Sequence, residues 1–166
     1  VMAGPITYEI DGEQYVAVAA GWGASFATSG GEAALLAKVR GGARLLAWKL
    51  DGKAPLPPGR APLGPVPVPT YSVESTAEER HQGMVIYQTQ CGGCHGPGAV
   101  GGGSGIPDLR YMDEGTHAVF YRILLEGLRE PGGMPRFDDL LDREDVRLLQ
   151  AFILEQAKNA SSTGLP

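Results

Sequence analysis

"CGGCH", residues 91–95, holds the only two cysteines of this 166-residue chain, and a histidine directly follows the second. When the backbone curls into a turn, two intervening residues set the thiols at the spacing of the two vinyl groups of a porphyrin. The next imidazole then falls beneath the ring, which is why this pentapeptide is the attachment signal of a c-type haem. Three other uses of the pattern compete. Structural zinc needs four ligands, usually two such pairs, but the chain has no third cysteine and only His81 and His117 besides His95. A dithiol of the thioredoxin kind belongs to a βαβ setting, whereas this stretch ends a helical pattern and enters a glycine-rich loop. A disulfide has no use for His95. The residues therefore favour haem, anchored by Cys91 and Cys94 and ligated by His95.

An electron-carrying haem iron takes a sixth ligand, and thioether sulfur raises its potential. Of the four methionines, Met2 lies far from the motif and Met84 sits in a helical pattern as core filler. Met134, in "GGMPRF", is favoured: its loop carries glycines that permit close approach and Pro135 to stiffen it, 40 residues beyond Cys94. Met112, after "PDLRY", and His117 remain open alternatives. His117 otherwise reads as a solvated residue in the first turn of a helix, and His81 likewise. The second ring nitrogen of His95 needs an acceptor to fix its tautomer. The Pro107 carbonyl suits that role, although Pro107 would equally serve to turn the chain.

Outward from the motif the chain divides in three. Residues 1–52 read as β: "ITYEI" and "QYVAVAA" flank Asp11-Gly12, a strong hairpin signal, and "RLLAWKL" runs into Asp51-Gly52. "GEAALLAK" between them allows a short helix. Residues 53–70 contain seven of the 13 prolines and read as a stiff, extended connector. Residues 71–166 read as helical. Ser75 with Glu78 forms the pattern of a capping box opening a helix from about Thr76 to Gln90. Thr116 is placed to cap "HAVFYRILLE", which stops at Gly127. Asp142 is placed to cap "REDVRLLQAFILEQAK", whose Val146, Leu149, Phe152 and Ile153 share one stripe.

Composition narrows the function. The net charge of −5 argues against nucleic acid, which needs a basic surface. No apolar run is long enough to span a membrane. The opening "VMAGPITYEI" lacks the layout of a signal peptide, so the chain is expected to be a mature or trimmed product, or a piece of something larger. Residues 71–166 carry 14 acids against 8 bases, which hints at a basic partner.

The helical part resembles a class I cytochrome c domain. Gly83 and Tyr87, eight and four residues before Cys91, match the positions where that family crosses its first and last helices, and Phe152 looks like the aromatic partner. Pro107, twelve residues after His95, matches the proline whose carbonyl binds the haem histidine. More narrowly, "GIPDLRYM" and "GGMPRFDDLL" resemble the haem domain of quinohaemoprotein alcohol dehydrogenases. "GPITYEIDGEQYVAVAAGWG" and "RLLAWKLDGKAPLP" are similar to the end of their PQQ-binding β-propeller. The resemblance implies a mainly α, class I cytochrome c fold preceded by a β fragment like a last propeller blade. It implies a periplasmic chain that takes electrons from a PQQ propeller and passes them through covalent haem c to an external acceptor, a small redox protein or a quinone. On the same resemblance, Arg110 and Tyr111 are candidates for a haem propionate. Trp22 matches a segment near the PQQ pocket or packs within the blade. Most of the propeller has no counterpart here, so PQQ and calcium belong to the parent enzyme and no catalytic residue is assigned. The other readings are a free-standing monohaem carrier and, from a different class, a haem sensor or peroxidase-like site with an open iron position.

Overall fold

A computed structural model describes residues 3–21, 44–56, 58, 64–101 and 106–163. Trp22, Met2, the segment "GEAALLAK" and part of the proline connector lie outside the described residues.

Three strands form an antiparallel sheet in the order β1 (Ile6–Ile10), β2 (Glu13–Ala20), β3 (Arg44–Lys49). Asp11 and Gly12 both adopt positive φ, as a two-residue hairpin requires. They set the register Ile10↔Glu13 and, along the ladder, Tyr8↔Tyr15. These two tyrosines stack at 5.4 Å. β3 follows through Tyr15↔Lys49 to Ala20↔Arg44, and Lys49 pairs with Glu13. Strand side chains alternate between faces. One face therefore presents Ile6, Ile10 and Leu45 and the other Val16 and Trp48, all of them exposed. Among the described strand residues only Ala17 is buried.

The helical part packs around one long helix. In chain order it comprises α1 (Ala77–Ile86), a π-helical turn (Tyr87–Cys91), α2 (Gly92–His95), α3 (Glu114–Ala118), α4 (Phe120–Leu125) and α5 (Arg143–Thr163). The stripe of Val146, Leu149, Phe152 and Ile153 on α5 is buried against Tyr87, Phe120 and Leu124. α1 crosses α5 at Gly83. A Cβ there would stand 2.1 Å from the Leu148 carbonyl oxygen and 3.1 Å from the Phe152 Cβ, so only glycine admits this approach. Tyr87 and Phe152 pack beside the crossing, ring centroids 5.1 Å apart.

Several helix starts differ from expectation. The capping box of α1 is Thr76 with Glu79, not Ser75 with Glu78. The Thr76 amide donates to the Glu79 carboxylate at 2.7 Å and the Glu79 amide to the Thr76 hydroxyl at 3.2 Å. Glu79 also pairs with Arg147 on α5, which ties this cap to the long helix. The expected single helix to Gln90 gives way to the π-helical turn after Ile86. Asp113, not Thr116, caps the next segment: its carboxylate accepts from the Thr116 amide at 2.7 Å. The helix then breaks at Val119. Asp142 caps α5 as expected, accepting from the Glu144 and Asp145 amides.

The end of the connector is docked rather than free. Val66 is buried against Ala157 and Ala160, with Tyr111 beside them, and the Tyr111 hydroxyl donates to the Gly64 carbonyl. Further along, Arg147 donates to the Glu74 carbonyl at 3.0 Å and Arg80 to that of Ser75 at 2.7 Å.

Candidate haem site

Cys91 closes the π-helical turn and Cys94 and His95 lie in the short helix that follows. The local curl expected of the motif is therefore present. The helix ends at Gly96, with φ 74° and ψ 170°, a conformation open to glycine and closed to side-chain-bearing residues. The Tyr87 hydroxyl donates to the Gly96 carbonyl at 2.7 Å, which ties the turn back onto the helix crossing. Burial pushes the Tyr87 phenol up, so it stays a donor. Past Gly96 the chain loops through Gly98 and Ala99, both with positive φ, with Ala99 fully buried.

His95 is 7% exposed. Its Nδ1 lies 3.1 Å from the Pro107 carbonyl oxygen. A carbonyl only accepts, so Nδ1 carries the proton and Nε2 of the neutral ring holds the lone pair. Burial, partly opposed by that hydrogen bond, lowers the pKa of His95 and keeps the ring neutral, the form that ligates a metal. Cys91 is buried and Cys94 exposed. Burial first, and the neighbouring Cys94 second, push the Cys91 thiol up to about 11.

The donor set fits a haem: two thiols at the turn, an imidazole oriented through Nδ1, and an apolar surround. Met84, Leu109, Met112, Leu125, Met134 and Phe137 line the core cluster as partly buried residues. Met134 and Met112 both belong to this rim. Among the described residues no group of three or more His, Cys, Asp or Glu side chains comes together as a metal would need, so a zinc reading finds no ligand cluster there.

The remaining candidates fall differently from expectation. His117 is buried, not solvated. It stacks on Tyr71 at 5.2 Å, and Gln150 donates to its Nδ1 at 3.1 Å and to its carbonyl at 2.9 Å. His81 is exposed, as expected. Arg110 is buried and engaged by Asp108, its Nε donating at 3.0 Å and its Nη2 at 2.9 Å. Tyr111 spends its hydroxyl on the connector. The sequence reading overlooked Asp108, although an acid two residues before an arginine was a visible signal. It also gave Tyr87 only a packing role.

Known proteins resemble this chain in sequence and in fold. The family described as cytochrome c oxidase, cbb3-type, subunit III, matches residues 78–153. The chain is 40% identical over 156 residues, 94% of its length, to quinohemoprotein alcohol dehydrogenase ADH IIB of Pseudomonas putida, and covers 22% of that protein. The dehydrogenase subunit of the quinone alcohol dehydrogenase of Gluconobacter oxydans is 36% identical over the whole chain, which covers 23% of it. The solved structure of ADH IIG from Pseudomonas putida superposes with a TM-score of 0.77 at 39% identity, over 95% of this chain and 22% of that one. The quinohemoprotein alcohol dehydrogenase of Comamonas testosteroni gives a TM-score of 0.65 at 30% identity, over 93% of this chain and 22% of that one. This chain thus spans about a fifth of the length of these relatives. Its helical part has a cytochrome c-type fold, and along nearly its whole length the chain is similar to the cytochrome c portion of the quinohaemoprotein alcohol dehydrogenases.

Proposed function

We propose that the chain transfers single electrons through a haem c that Cys91 and Cys94 would hold by thioethers and whose iron His95 and Met134 would ligate. The observation that carries this is the buried His95, one residue past Cys94, whose Nδ1 is tied to the Pro107 carbonyl. When bound, the haem supplies a one-electron couple whose potential the axial ligands set. His95 would present Nε2, Pro107 would hold its tautomer, and Leu109, Leu125 and Phe137, partly buried against the core cluster, would help to exclude water. Met134 is preferred to Met112 because its loop follows Gly133, with φ 90°, and the Met134 amide itself makes a long bond, 3.3 Å, to the Arg129 carbonyl. Among the described residues the Arg110 side chain bonds Asp108 through Nε and Nη2, and Nη1 would be the atom offered to a propionate.

The reading extends to the parent enzyme. In the periplasm, a PQQ propeller with calcium would be the electron donor and a small redox protein or quinone the acceptor. Division of the chain into a β fragment (1–52), connector (53–70) and haem domain (71–166) fits that role. Similarity running through the β part as well as the haem part favours it over a free-standing carrier.

Intact mass and the visible spectrum of the purified chain, matured with haem, test this. A covalent haem adduct with a low-spin spectrum is expected, and Met134→Ala should lower the potential and open the iron to carbon monoxide. The same change from Met112→Ala, with Met134→Ala silent, would move the ligand to Met112. Alcohol-dependent dye reduction is not expected from this chain alone, because one sheet cannot enclose a PQQ pocket.

A further inference from the structure

The Pro107 carbonyl is gripped from two sides, and neither grip follows from the haem motif. On one side lies Gly101: a Cβ there would stand 2.3 Å from the Pro107 oxygen and 2.5 Å from the Asp108 amide nitrogen. That backbone therefore rests directly on the Pro107–Asp108 peptide. On the other side Asp108 is fastened into a buried fork. Its Oδ1 accepts from the Arg110 amide and Nε, both at 3.0 Å, and its Oδ2 accepts from Arg110 Nη2 at 2.9 Å. The two side chains are 2% and 8% exposed. A bidentate guanidinium–carboxylate pair fixes direction as well as distance, and here it fixes the residue bonded to Pro107.

Resting on the haem reading above, we propose that Gly101, Asp108 and Arg110 are positioning residues that set the strength of the His95 Nδ1–H bond to Pro107, and through it the electron donation of His95 to iron. A stronger bond raises ligand basicity, favours ferric iron and lowers the potential. Loosening either grip should do the reverse.

The test uses the haem-loaded chain. In the wild type the Nδ1 proton of His95, observed by NMR, should exchange slowly with solvent. Asp108→Asn keeps the shape of the fork and removes its charge; Gly101→Ala forces the carbonyl from the opposite side. Each should speed that exchange and raise the reduced-to-oxidised ratio at fixed poise by up to about tenfold, a shift of about 59 mV for one electron. Arg110→Lys, which loses the planar fork, should not restore wild-type behaviour, whereas Arg122→Ala, on an exposed ion pair, should leave both readouts alone. Rapid exchange in the wild type would overturn the proposal without any variant. So would unchanged potential and exchange in whichever of Asp108→Asn and Gly101→Ala folds. A wild-type chain that takes no covalent haem would instead overturn the underlying reading, and this one with it.

Discussion

The β segment and the helical segment use apolar residues in opposite ways. In the helical part the stripe of α5 is sealed: Leu149 is 0% exposed, with Tyr87, Phe120 and Leu124 closing over it. In the sheet both faces are open, with Leu45 76% exposed on one and Trp48 41% on the other. So small a sheet needs a packed hydrophobic face or a helix laid on it for independent stability, and here Ile6, Ile10, Leu45, Val16 and Trp48 stay exposed. This is the pattern of a layer meant to lie between two others, and it agrees with similarity to about a fifth of much longer proteins. The helical part, by contrast, closes its main core with its own residues and takes Val66 of the connector onto the end of α5. The difference teaches that order in one region comes from its own packing, and in the other from hydrogen-bonded register.

The sharpest way to break this comparison is to truncate one apolar side chain in each region. Leu149→Ala should cost about 2–5 kcal/mol, the range for a sealed core leucine, while Leu45→Ala should stay within about 0.5 kcal/mol. Thermal melts followed at the helical signal would measure both; equal effects would mean that the sheet face is covered. Next in size, Gly83→Leu drives a side chain into the Leu148 backbone and should cost about 1–3 kcal/mol. An unchanged melting temperature would mean that α1 and α5 do not cross there. Hydrogen exchange on the isolated chain then sharpens the contrast without mutation. Amides of α5 should open only with global unfolding, and those of β1 and β3 much sooner. Strands protected as well as α5 would show that the sheet has found a partner surface.

The smallest effect concerns acid. The Thr76 amide first, then Arg147 and the Thr76 hydroxyl, hold Glu79 down to about 2 from an ordinary 4.5. A carboxylate whose pKa is depressed on folding stabilises above its unfolded value, and that contribution disappears as pH falls from about 4.5 towards 2. Glu79→Gln should therefore flatten the acid limb of a melting-temperature profile over that window and leave its neutral region lower. Identical acid limbs would mean that the link between the α1 cap and α5 contributes nothing.

How much was legible follows the same division between local and distant. The hairpin at Asp11-Gly12, the turn at Cys91–His95 and the cap at Asp142 were readable because each depends on neighbours within a few residues. The choice between Ser75/Glu78 and Thr76/Glu79 was not, because both satisfy the capping pattern and Arg147, 68 residues away, is bonded to Glu79. His117 read as a solvated helix residue because its partners, Gln150 and Tyr71, lie 33 and 46 positions off.

By itself the sequence determined the grouping on which the proposed haem attachment rests: Cys91, Cys94 and His95 lie so close together that chain geometry alone presents them as one group. It also determined the strands, through turn residues that tolerate positive φ. Only the tertiary structure decided what holds that group in place: Gly83 under α5, Tyr87 on Gly96, Gly101 against Pro107, and the connector docked on α5 rather than spanning free. The reason is physical. A covalent spacing is written into consecutive residues, whereas burial and close approach depend on which distant segments meet.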